Sequence, residues 1–217
     1  INAAFQNCSK LTQVDLPMCN TIGTYAFYNC SSLSQLSLPV CSYIGGYAFQ
    51  NCNKLSQVNL PMCKTIGDNA FYFCTSLSQV SLPVCSRISA SAFYRCSSLS
   101  QVNLPVCNYI GDNAFYNCKL LNQVNFPVCS YIGNSVFFNC YSLSQASLPL
   151  CEYIGYGALL TCSLTQVNLP MCSYIGNNAF WNCVYLSSIT IGYSGVCSLS
   201  YEGFLYTPIT DGTGSIY

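Results

Sequence analysis

The hydrophobic and polar positions of the chain repeat every 22 residues. Residues 55–63 read LSQVNLPMC, and within them Val58 and Leu60 alternate with Gln57 and Asn59. Because successive side chains of a strand point to opposite faces, this pattern predicts a short strand with one apolar and one polar face. The proline that follows Leu60 has no N–H to donate to a neighbouring strand, so we expect the strand to end there.

The second half of each unit predicts the return of the chain. Residues 66–74 read IGDNAFYFC, and Gly67 directly follows the isoleucine. Glycine adopts positive φ values without steric cost, so we expect a positive-φ turn at this position. The Ala-Phe pair predicts one short helical or 3₁₀ turn, and its phenylalanine, Phe71, is expected to fill the convex side of the core.

The cysteines define the extent of the repeat. From Cys8 to Cys162 they are spaced 11 residues apart, and the next step, to Cys172, is one residue shorter. Their contexts alternate between Leu-Pro-x-Cys and Ala-Phe-x-Asn-Cys, which makes the true period 22. We predict a single domain over residues 1–217, with a partial coil at 1–8, eight full coils at 11–183 and a divergent C-terminal coil at 186–217.

A period of this length predicts a repeat solenoid. One coil cannot bury its apolar face alone, so coils stack with short parallel strands on the concave face, about 4.8 Å apart. The chain opens at Ile1 in the middle of a coil, and beyond Cys183 the Leu-Pro-x-Cys motif gives way to additional glycines. We therefore expect a fragment of a longer protein, with residues 215–217 as a closing strand.

The two half-units together resemble a known repeat family. The pattern L-x-x-L-x-L-P-x-C followed by I-G-x-x-A-F-x-x-C is similar to the BspA-like leucine-rich repeats, and nearly the whole chain keeps both halves. Local departures are Ser89 for the glycine, Val136 for the alanine and Leu159 for the phenylalanine. The resemblance implies a leucine-rich repeat of 22-residue coils that is secreted or displayed on a cell surface, without catalytic residues.

Composition argues against several classes of function. The chain has no histidine, which removes the commonest general base, so we expect neither an enzyme nor a cofactor. Six basic and six acidic residues provide no basic face for nucleic acid. No apolar run approaches the ~20 residues of a spanning helix, so membrane insertion is not expected. No signal peptide is present in these residues, so the extracellular or cell-surface location rests on the resemblance.

The eighteen cysteines allow three interpretations. Metal binding is disfavoured because clustered ligands are missing. Disulfides are suggested by a cysteine content above 8% in a secreted chain, and stacked coils bring cysteines of one class within bonding range. We favour two columns of buried free thiols that act as small apolar side chains. One column comprises Cys19, Cys41, Cys63, Cys85, Cys107, Cys129, Cys151 and Cys172, and the other Cys8, Cys30, Cys52, Cys74, Cys96, Cys118, Cys140, Cys162 and Cys183.

The polar face of the predicted strands carries two uniform columns. Stacking alone could join the glutamines in a side-chain amide ladder, which we favour over a ligand site, because identical residues at each step suit a ladder. The glutamine column comprises Gln13, Gln35, Gln57, Gln79, Gln101, Gln123, Gln145 and Gln166. The column beside it comprises Asp15, Ser37, Asn59, Ser81, Asn103, Asn125, Ser147 and Asn168.

Two aromatic stripes are the candidate binding surfaces. The first comprises Tyr28, Tyr72, Tyr94, Tyr116, Phe138 and Trp181, and the second Tyr43, Tyr109, Tyr131, Tyr153 and Tyr174. Aromatic rings are enriched at interfaces, but the alternative is that they cover the edge of the phenylalanine layer and stack on one another.

Two functions follow as hypotheses. The first is a non-enzymatic module that binds an unknown protein or carbohydrate, as an adhesin does. The second is a structural spacer or fibre segment of a surface appendage or phage particle, with no ligand on this region. Self-association fits both, because a net charge of zero promotes it.

Overall fold

The computed structural model describes residues 2–192, 198–199, 204, 206–208 and 215–216, which form a solenoid of short parallel strands. Strands are numbered in chain order, and each coil contributes two. The first strand of each coil begins at the glutamine or its equivalent. These strands are β1 (Gln13–Asp15), β3 (Gln35–Ser37), β5 (Gln57–Asn59), β7 (Gln79–Ser81), β9 (Gln101–Asn103), β11 (Gln123–Asn125), β13 (Gln145–Ser147), β15 (Gln166–Leu169) and β17 (Ser188–Ile191), followed by β19 (Ser215–Ile216).

In each of the eight full coils, a second strand of two residues follows the first strand after the Pro-x-Cys turn, and the divergent coil contributes one more. These strands are β2 (Thr21–Ile22), β4 (Tyr43–Ile44), β6 (Thr65–Ile66), β8 (Arg87–Ile88), β10 (Tyr109–Ile110), β12 (Tyr131–Ile132), β14 (Tyr153–Ile154), β16 (Tyr174–Ile175) and β18 (Ser198–Leu199). They form one parallel sheet of nine strands, in which each isoleucine pairs with the equivalent residue of the next coil. The sequence pattern did not predict this sheet, because two residues are too few to display a period.

The first strands form three parallel sheets in strict register. Val58 pairs with Val80, and Gln57 pairs with Gln79, so each column of the sequence becomes a column in space. The ladder is interrupted between β3 and β5 and between β13 and β15. The prediction of a leucine-rich solenoid with 22-residue coils and parallel strands is confirmed.

The Ala-Phe half of each coil is built from tight turns. The sequence predicted a short helical or 3₁₀ turn, but the described residues contain neither. Two residues of the coil, such as Asn69 and Phe73, have φ values of 55° and 59°. These two residues, four positions apart, have left-handed backbone conformations, which prevent a right-handed helix from continuing through the segment. The segment instead donates hydrogen bonds to the next coil, as from Phe71 N to Ala92 O at 2.8 Å.

The glycine after the isoleucine has a different role from the one predicted. Among the described glycines only Gly157 has a positive φ, of 57°. A Cβ atom on Gly67 would lie 2.8 Å from the carbonyl carbon of Gly45 and 2.8 Å from the backbone nitrogen of Gly46. Glycine is therefore needed here for the close approach of two coils, while the positive φ falls on residues farther along the turn.

The core is built on two stacks of phenylalanines, from Phe5 to Phe137 and from Phe180 to Phe204, with Leu159 between them. Phe49, Phe71 and Phe93 lie with ring centroids 5.3 Å apart and planes within 6° of parallel. Leucines, isoleucines, valines and cysteines surround this stack, and together they form one apolar cluster along the solenoid. Each ring is buried because the coils on both sides cover it, which is the packing expected of a solenoid.

The two ends of the stack differ. Phe5, in the partial coil at residues 1–8, is 39% exposed, and its ring stacks on that of Phe27 at 5.1 Å. At the other end Phe204 is buried and stacks on Phe180 at 5.3 Å, so part of the divergent segment continues the solenoid. Strand β19 pairs with β17 and lies where a closing strand was expected. Ile1, Cys197, Tyr217 and the glycines at 195, 203, 212 and 214 lie outside the described residues.

Candidate functional site

The exposed side chains of the odd-numbered strands from β1 to β15 form what we call the Gln face. Every glutamine of the predicted column is exposed, and so is every member of the column beside it. The amide ladder expected from the sequence is not formed, because no hydrogen bond joins these glutamines anywhere in the described part of the chain. An amide ladder exists elsewhere, between Asn51, Asn29 and Asn7, with Nδ2–Oδ1 distances of 2.7 and 2.9 Å. The amides of the Gln face are thus available to a ligand.

Three open spaces follow one another along the Gln face. The first has a volume of about 250 Å³ beside Gln101 and Gln123, and the second about 370 Å³ between Gln123 and Gln166. The third, of about 520 Å³, is lined by Ala146 to Pro149, Gln166, Val167, Asn168, Ser188 and Thr190. Volumes of this size are typical of small-ligand sites. All the lining residues are uncharged.

The largest space lies at an interruption of the sheet. Strand β15 does not continue the ladder of β13, and the connection from Cys162 to Leu164 is one residue shorter than the equivalent connections. Ala146 also takes the place of the valine found in most coils, which removes two methyl groups from this position. The sequence analysis did not single out Ser188 or Thr190. The ten-residue step between Cys162 and Cys172 was the signal that pointed to this coil.

The first aromatic stripe is a stack of half-buried rings. Tyr72, Tyr94, Tyr116 and Phe138 lie with successive ring centroids 4.7 Å apart and planes within 15° of parallel. The other members do not join this stack. Tyr28 meets Tyr25 edge to face, and Trp181 meets Tyr206 in the same way.

The second stripe is stacked in the same manner. Tyr109, Tyr131, Tyr153 and Tyr174 have centroid distances of 4.7–4.8 Å, and the guanidinium of Arg87 lies 3.8 Å above the ring of Tyr109. Tyr43, in the second coil, does not join this stack. It is exposed and lies between Thr21 and Thr65 of the neighbouring strands.

Stacking restricts what the two stripes can bind. A sugar or an aromatic ligand binds to the face of a ring, but neighbouring coils already cover the faces of the stacked rings. Only the ring edges and hydroxyl groups reach the solvent. Burial raises the pKa of the Tyr72, Tyr116, Tyr131 and Tyr153 hydroxyls, and the adjacent tyrosines of each stack add to that rise. The stripes therefore resemble a structural covering of the core more closely than a binding platform.

The two cysteine columns occupy different places in the core. In the Leu-Pro-x-Cys column the thiol donates to a carbonyl of its own coil, as from Cys63 Sγ to Thr65 O at 3.3 Å. In the other column it donates to the preceding coil, as from Cys74 Sγ to Phe49 O at 3.1 Å. The second column thus adds one hydrogen bond to most coil interfaces. No disulfide joins any of the seventeen cysteines that the structure describes.

Burial controls the chemistry of these thiols. Removal from water raises the pKa of Cys63, Cys74 and Cys85 from the usual value near 9 to about 12, and neighbouring cysteines contribute to the rise for Cys63 and Cys85. A thiolate is the reactive form of cysteine, so these residues are expected to be inert. Cys8 is exposed and Cys19 is half-buried.

Thiol modification tests this arrangement. Under native conditions at pH 8 a thiol reagent should modify Cys8 and Cys19 rapidly, and replacing both with serine should remove the rapid phase for the described cysteines. In denaturant without reductant, all seventeen described cysteines should react. A small number of reactive thiols after unfolding would instead demonstrate disulfides within a column.

Neither a metal cluster nor a membrane span is found in the described residues. No group of three or more His, Cys, Asp or Glu side chains is arranged to hold a metal ion there. No helix in that part of the chain is long and apolar enough to span a bilayer.

Comparison with known proteins agrees with this geometry. A leucine-rich repeat protein from T. pallidum is 28% identical to the chain, with a TM-score of 0.52, covering 74% of this chain and 68% of that one. A leucine-rich repeat protein from Eubacterium ventriosum is 15% identical, with a TM-score of 0.51, covering 99% and 80%. No curated protein matches the chain significantly.

The family assignment rests on the sequence itself. The model of the BspA type leucine-rich repeat region matches six copies, over residues 1–120, 64–187 and 108–213. These overlapping matches cover nearly the whole chain, including the coils that depart from the consensus at Ser89 and Leu159. The chain therefore belongs to the BspA-type leucine-rich repeat family.

Proposed function

We propose that this chain is a non-enzymatic interaction module, secreted or displayed on a cell surface, that binds an uncharged polar ligand on its Gln face. The observation that carries the proposal is the row of exposed glutamine amides that have no hydrogen-bond partner within the described residues. Each amide offers two donors and one acceptor oxygen, so the row presents both kinds of group at every coil.

The chemistry of the face favours a neutral ligand. The three spaces are lined by amide, hydroxyl and aliphatic groups, without a charged side chain. Glycan hydroxyls and the backbone of an extended peptide both exchange hydrogen bonds with amides and hydroxyls. An anionic ligand would lack the basic residues that it needs. The absence of titratable side chains in these linings also supports the non-enzymatic part of the proposal.

The family supports the proposed location and role. BspA-type repeats are typical of surface or secreted proteins and serve in general as interaction modules. An adhesive role would use the Gln face as the contact with a matrix protein or a surface glycan.

A second candidate function is a spacer or fibre segment. It is favoured by the aromatic stacks, in which neighbouring rings cover one another's faces. These rings contribute to packing between coils, whereas a binding surface would expose them. In that case the function would lie in neighbouring parts of the protein.

A binding experiment distinguishes the two functions. The intact chain is tested on arrays of neutral glycans and matrix proteins, and saturable binding is expected. Replacing Gln166 and Asn168 with alanine removes polar partners at the largest space and should weaken binding about tenfold. Gln57→Ala is the matched control, since Gln57 is equally exposed in the same column but lies away from the three spaces, and it should change affinity by no more than about twofold.

The contrary outcomes are clear. An absence of saturable binding by the folded chain would reject the interaction module on this face and favour the spacer. Equal losses in the double variant and in Gln57→Ala would show that binding is spread over the whole column and does not depend on the space beside Ala146.

A further inference from the structure

A continuous apolar ridge runs along one corner of the solenoid, outside both aromatic stripes and the Gln face. It consists of the proline and the following residue of each Leu-Pro-x-Cys turn. The second residue is aliphatic in all eight full coils and is 39–86% exposed. These residues, from the first coil to the eighth, are Met18, Val40, Met62, Val84, Val106, Val128, Leu150 and Met171. We call this surface, with its prolines, the Pro-aliphatic ridge.

Packing within one copy does not explain why this position is apolar in all eight full coils. From the second coil to the eighth, the core requires the cysteine of each turn and the leucine before the proline, or Phe126 in the sixth coil, and these residues are buried. The residue between proline and cysteine faces the solvent. Soluble monomers seldom expose a contiguous apolar patch of this extent, and such patches mark interaction surfaces. At about 4.8 Å for each coil, the ridge is roughly 33 Å long.

The ridge is large enough for a specific interface. One methylene corresponds to about 30 Å² of apolar surface, so about two exposed carbon groups on each proline and each aliphatic residue of seven coils, the number that overlap in the dimer proposed below, give on the order of 800 Å². Each partner of a standard interface buries about 800 Å².

A column of polar residues flanks the ridge, two positions after each aliphatic residue. The intervening cysteine is buried, so the residues on both sides of it face outward. Only two members of this column are charged, Lys64 in the third coil and Glu152 in the seventh. Both are exposed, and neither has an ion-pair partner among the described residues. The full column is Asn20, Ser42, Lys64, Ser86, Asn108, Ser130, Glu152 and Ser173.

We propose that the Pro-aliphatic ridge is the interface of an antiparallel homodimer, with a two-fold axis at Val106. In this dimer the seventh coil of the second copy lies against the third coil of the first copy. Lys64 of each copy then faces Glu152 of the other. The remaining paired positions are serine with serine, and Asn108 with its own equivalent.

The arrangement of charges selects this register. A two-fold axis that lies in the interface and across the rods keeps the flanking column on the same side in both copies, so that its members meet. An axis along the rods would make the copies parallel and would place the two flanking columns on opposite sides, leaving Lys64 and Glu152 unpaired. The midpoint of the two charges, in the fifth coil, is close to the middle of the ridge, and seven of the eight aliphatic positions therefore overlap.

A second copy explains the ridge better than an unrelated partner does. An isologous contact requires one surface that complements itself, and a ridge with one repeat length, an uncharged flank and a single pair of opposite charges meets that requirement. A net charge of zero also removes long-range repulsion between the copies.

The oligomeric state of the reduced 217-residue chain tests the proposal. Sedimentation equilibrium should show a concentration-dependent dimer. Val106→Asp places two carboxylates together at the axis and should weaken dimerisation at least about a hundredfold, because like charges at an interface are strongly unfavourable. Met18→Asp is the matched control, since Met18 lies on the same ridge but outside the overlap, and the dimer should persist. Both side chains are exposed in one copy, so the circular dichroism spectrum should stay unchanged. The unfolding midpoint should also stay unchanged when it is measured at concentrations where every chain is monomeric, because dimerisation itself raises the midpoint.

Charge exchange tests the register separately. Lys64→Glu alone and Glu152→Lys alone should each weaken the dimer about tenfold, and the double variant should restore it to within about threefold of the original. A monomer at all accessible concentrations, a dimer that tolerates Val106→Asp, or a double variant without restored affinity would overturn the antiparallel interface. Failure of ligand binding on the Gln face would leave these outcomes unchanged, because none of the residues substituted here lines the three spaces of that face, although Pro149 belongs both to the ridge and to the largest space.

Discussion

Raising the pH from 8 to 10 under reducing conditions is expected to lower the free energy of unfolding by several kcal/mol. The cause is the set of thiols buried in the two cysteine columns. Desolvation raises the pKa of Cys63, Cys74, Cys85, Cys129 and Cys183 to about 12 and that of Cys107 to about 11, from the usual value near 9. Cys52, Cys96, Cys118, Cys140, Cys151 and Cys162 are shifted in the same direction.

The sign of the effect follows from proton binding. Above pH 9 the thiols of the unfolded chain lose their protons, while the buried thiols of the folded chain keep theirs up to pH 11 or 12. The folded state then binds more protons than the unfolded state, so its stability is complete below pH 9 and is lost as the pH rises.

The expected magnitude is comparable with the whole stability of a domain. At pH 10 each of the six thiols with a pKa of 11–12 lowers the stability of the folded state by roughly 1 kcal/mol. Together the six groups remove several kcal/mol, and folded domains are typically stable by about 5–15 kcal/mol.

Circular dichroism during an anaerobic alkaline titration measures this transition, and thiolate absorbance should rise at the same pH. Refolding at pH 7.5 should be complete in the presence of reductant. Cys8→Ser, at an exposed position, should leave the midpoint unchanged, whereas Cys74→Ala should shift it upward if the variant is folded at pH 7. A chain that stays folded at pH 11 with protonated thiols would contradict this account of the columns.

Phe137→Ala is expected to reduce the free energy of unfolding by about 3–5 kcal/mol. The ring of Phe137 is completely buried, 5.6 Å from that of Phe115 and 6.1 Å from that of Phe126. Coils on both sides cover it, so its removal leaves a cavity that the stacked backbone cannot collapse to fill. Chemical denaturation of the variant and the original chain measures the difference.

Two variants serve as controls for the position of the ring. Phe5→Ala removes the same side chain from a site that is 39% exposed and has a ring neighbour on one side only, and it should cost about 1–2 kcal/mol. Tyr116→Ala, in the first aromatic stripe, should cost about 1 kcal/mol or less, because its ring edge already contacts the solvent. A Tyr116 variant as unstable as the Phe137 variant would place that stripe within the core.

The period of the sequence by itself determined most of the architecture. Alternation around Val58 and Leu60 predicted the first strand, and the proline after Leu60 predicted its end. The recurrence of Phe71 and its equivalents predicted that these phenylalanines fill the convex side of the core. These features follow from local rules of backbone and side-chain geometry that act in the same way in every coil, so the repeated motif was sufficient to predict the fold and its family.

The tertiary structure decided how the residues of neighbouring coils lie against one another. The sequence shows that tyrosines recur, but only the 4.7 Å stacking of Tyr94 on Tyr116 covers their ring faces. It shows a glycine after each isoleucine, but only the approach of one coil to the next explains Gly67. The free amides of the Gln face, the space beside Ala146 and the solvent exposure of the Pro-aliphatic ridge likewise depend on distances between residues about 22 positions apart. A residue pattern within one coil carries no information on these distances, because they are set by how closely the backbones of neighbouring coils can pack.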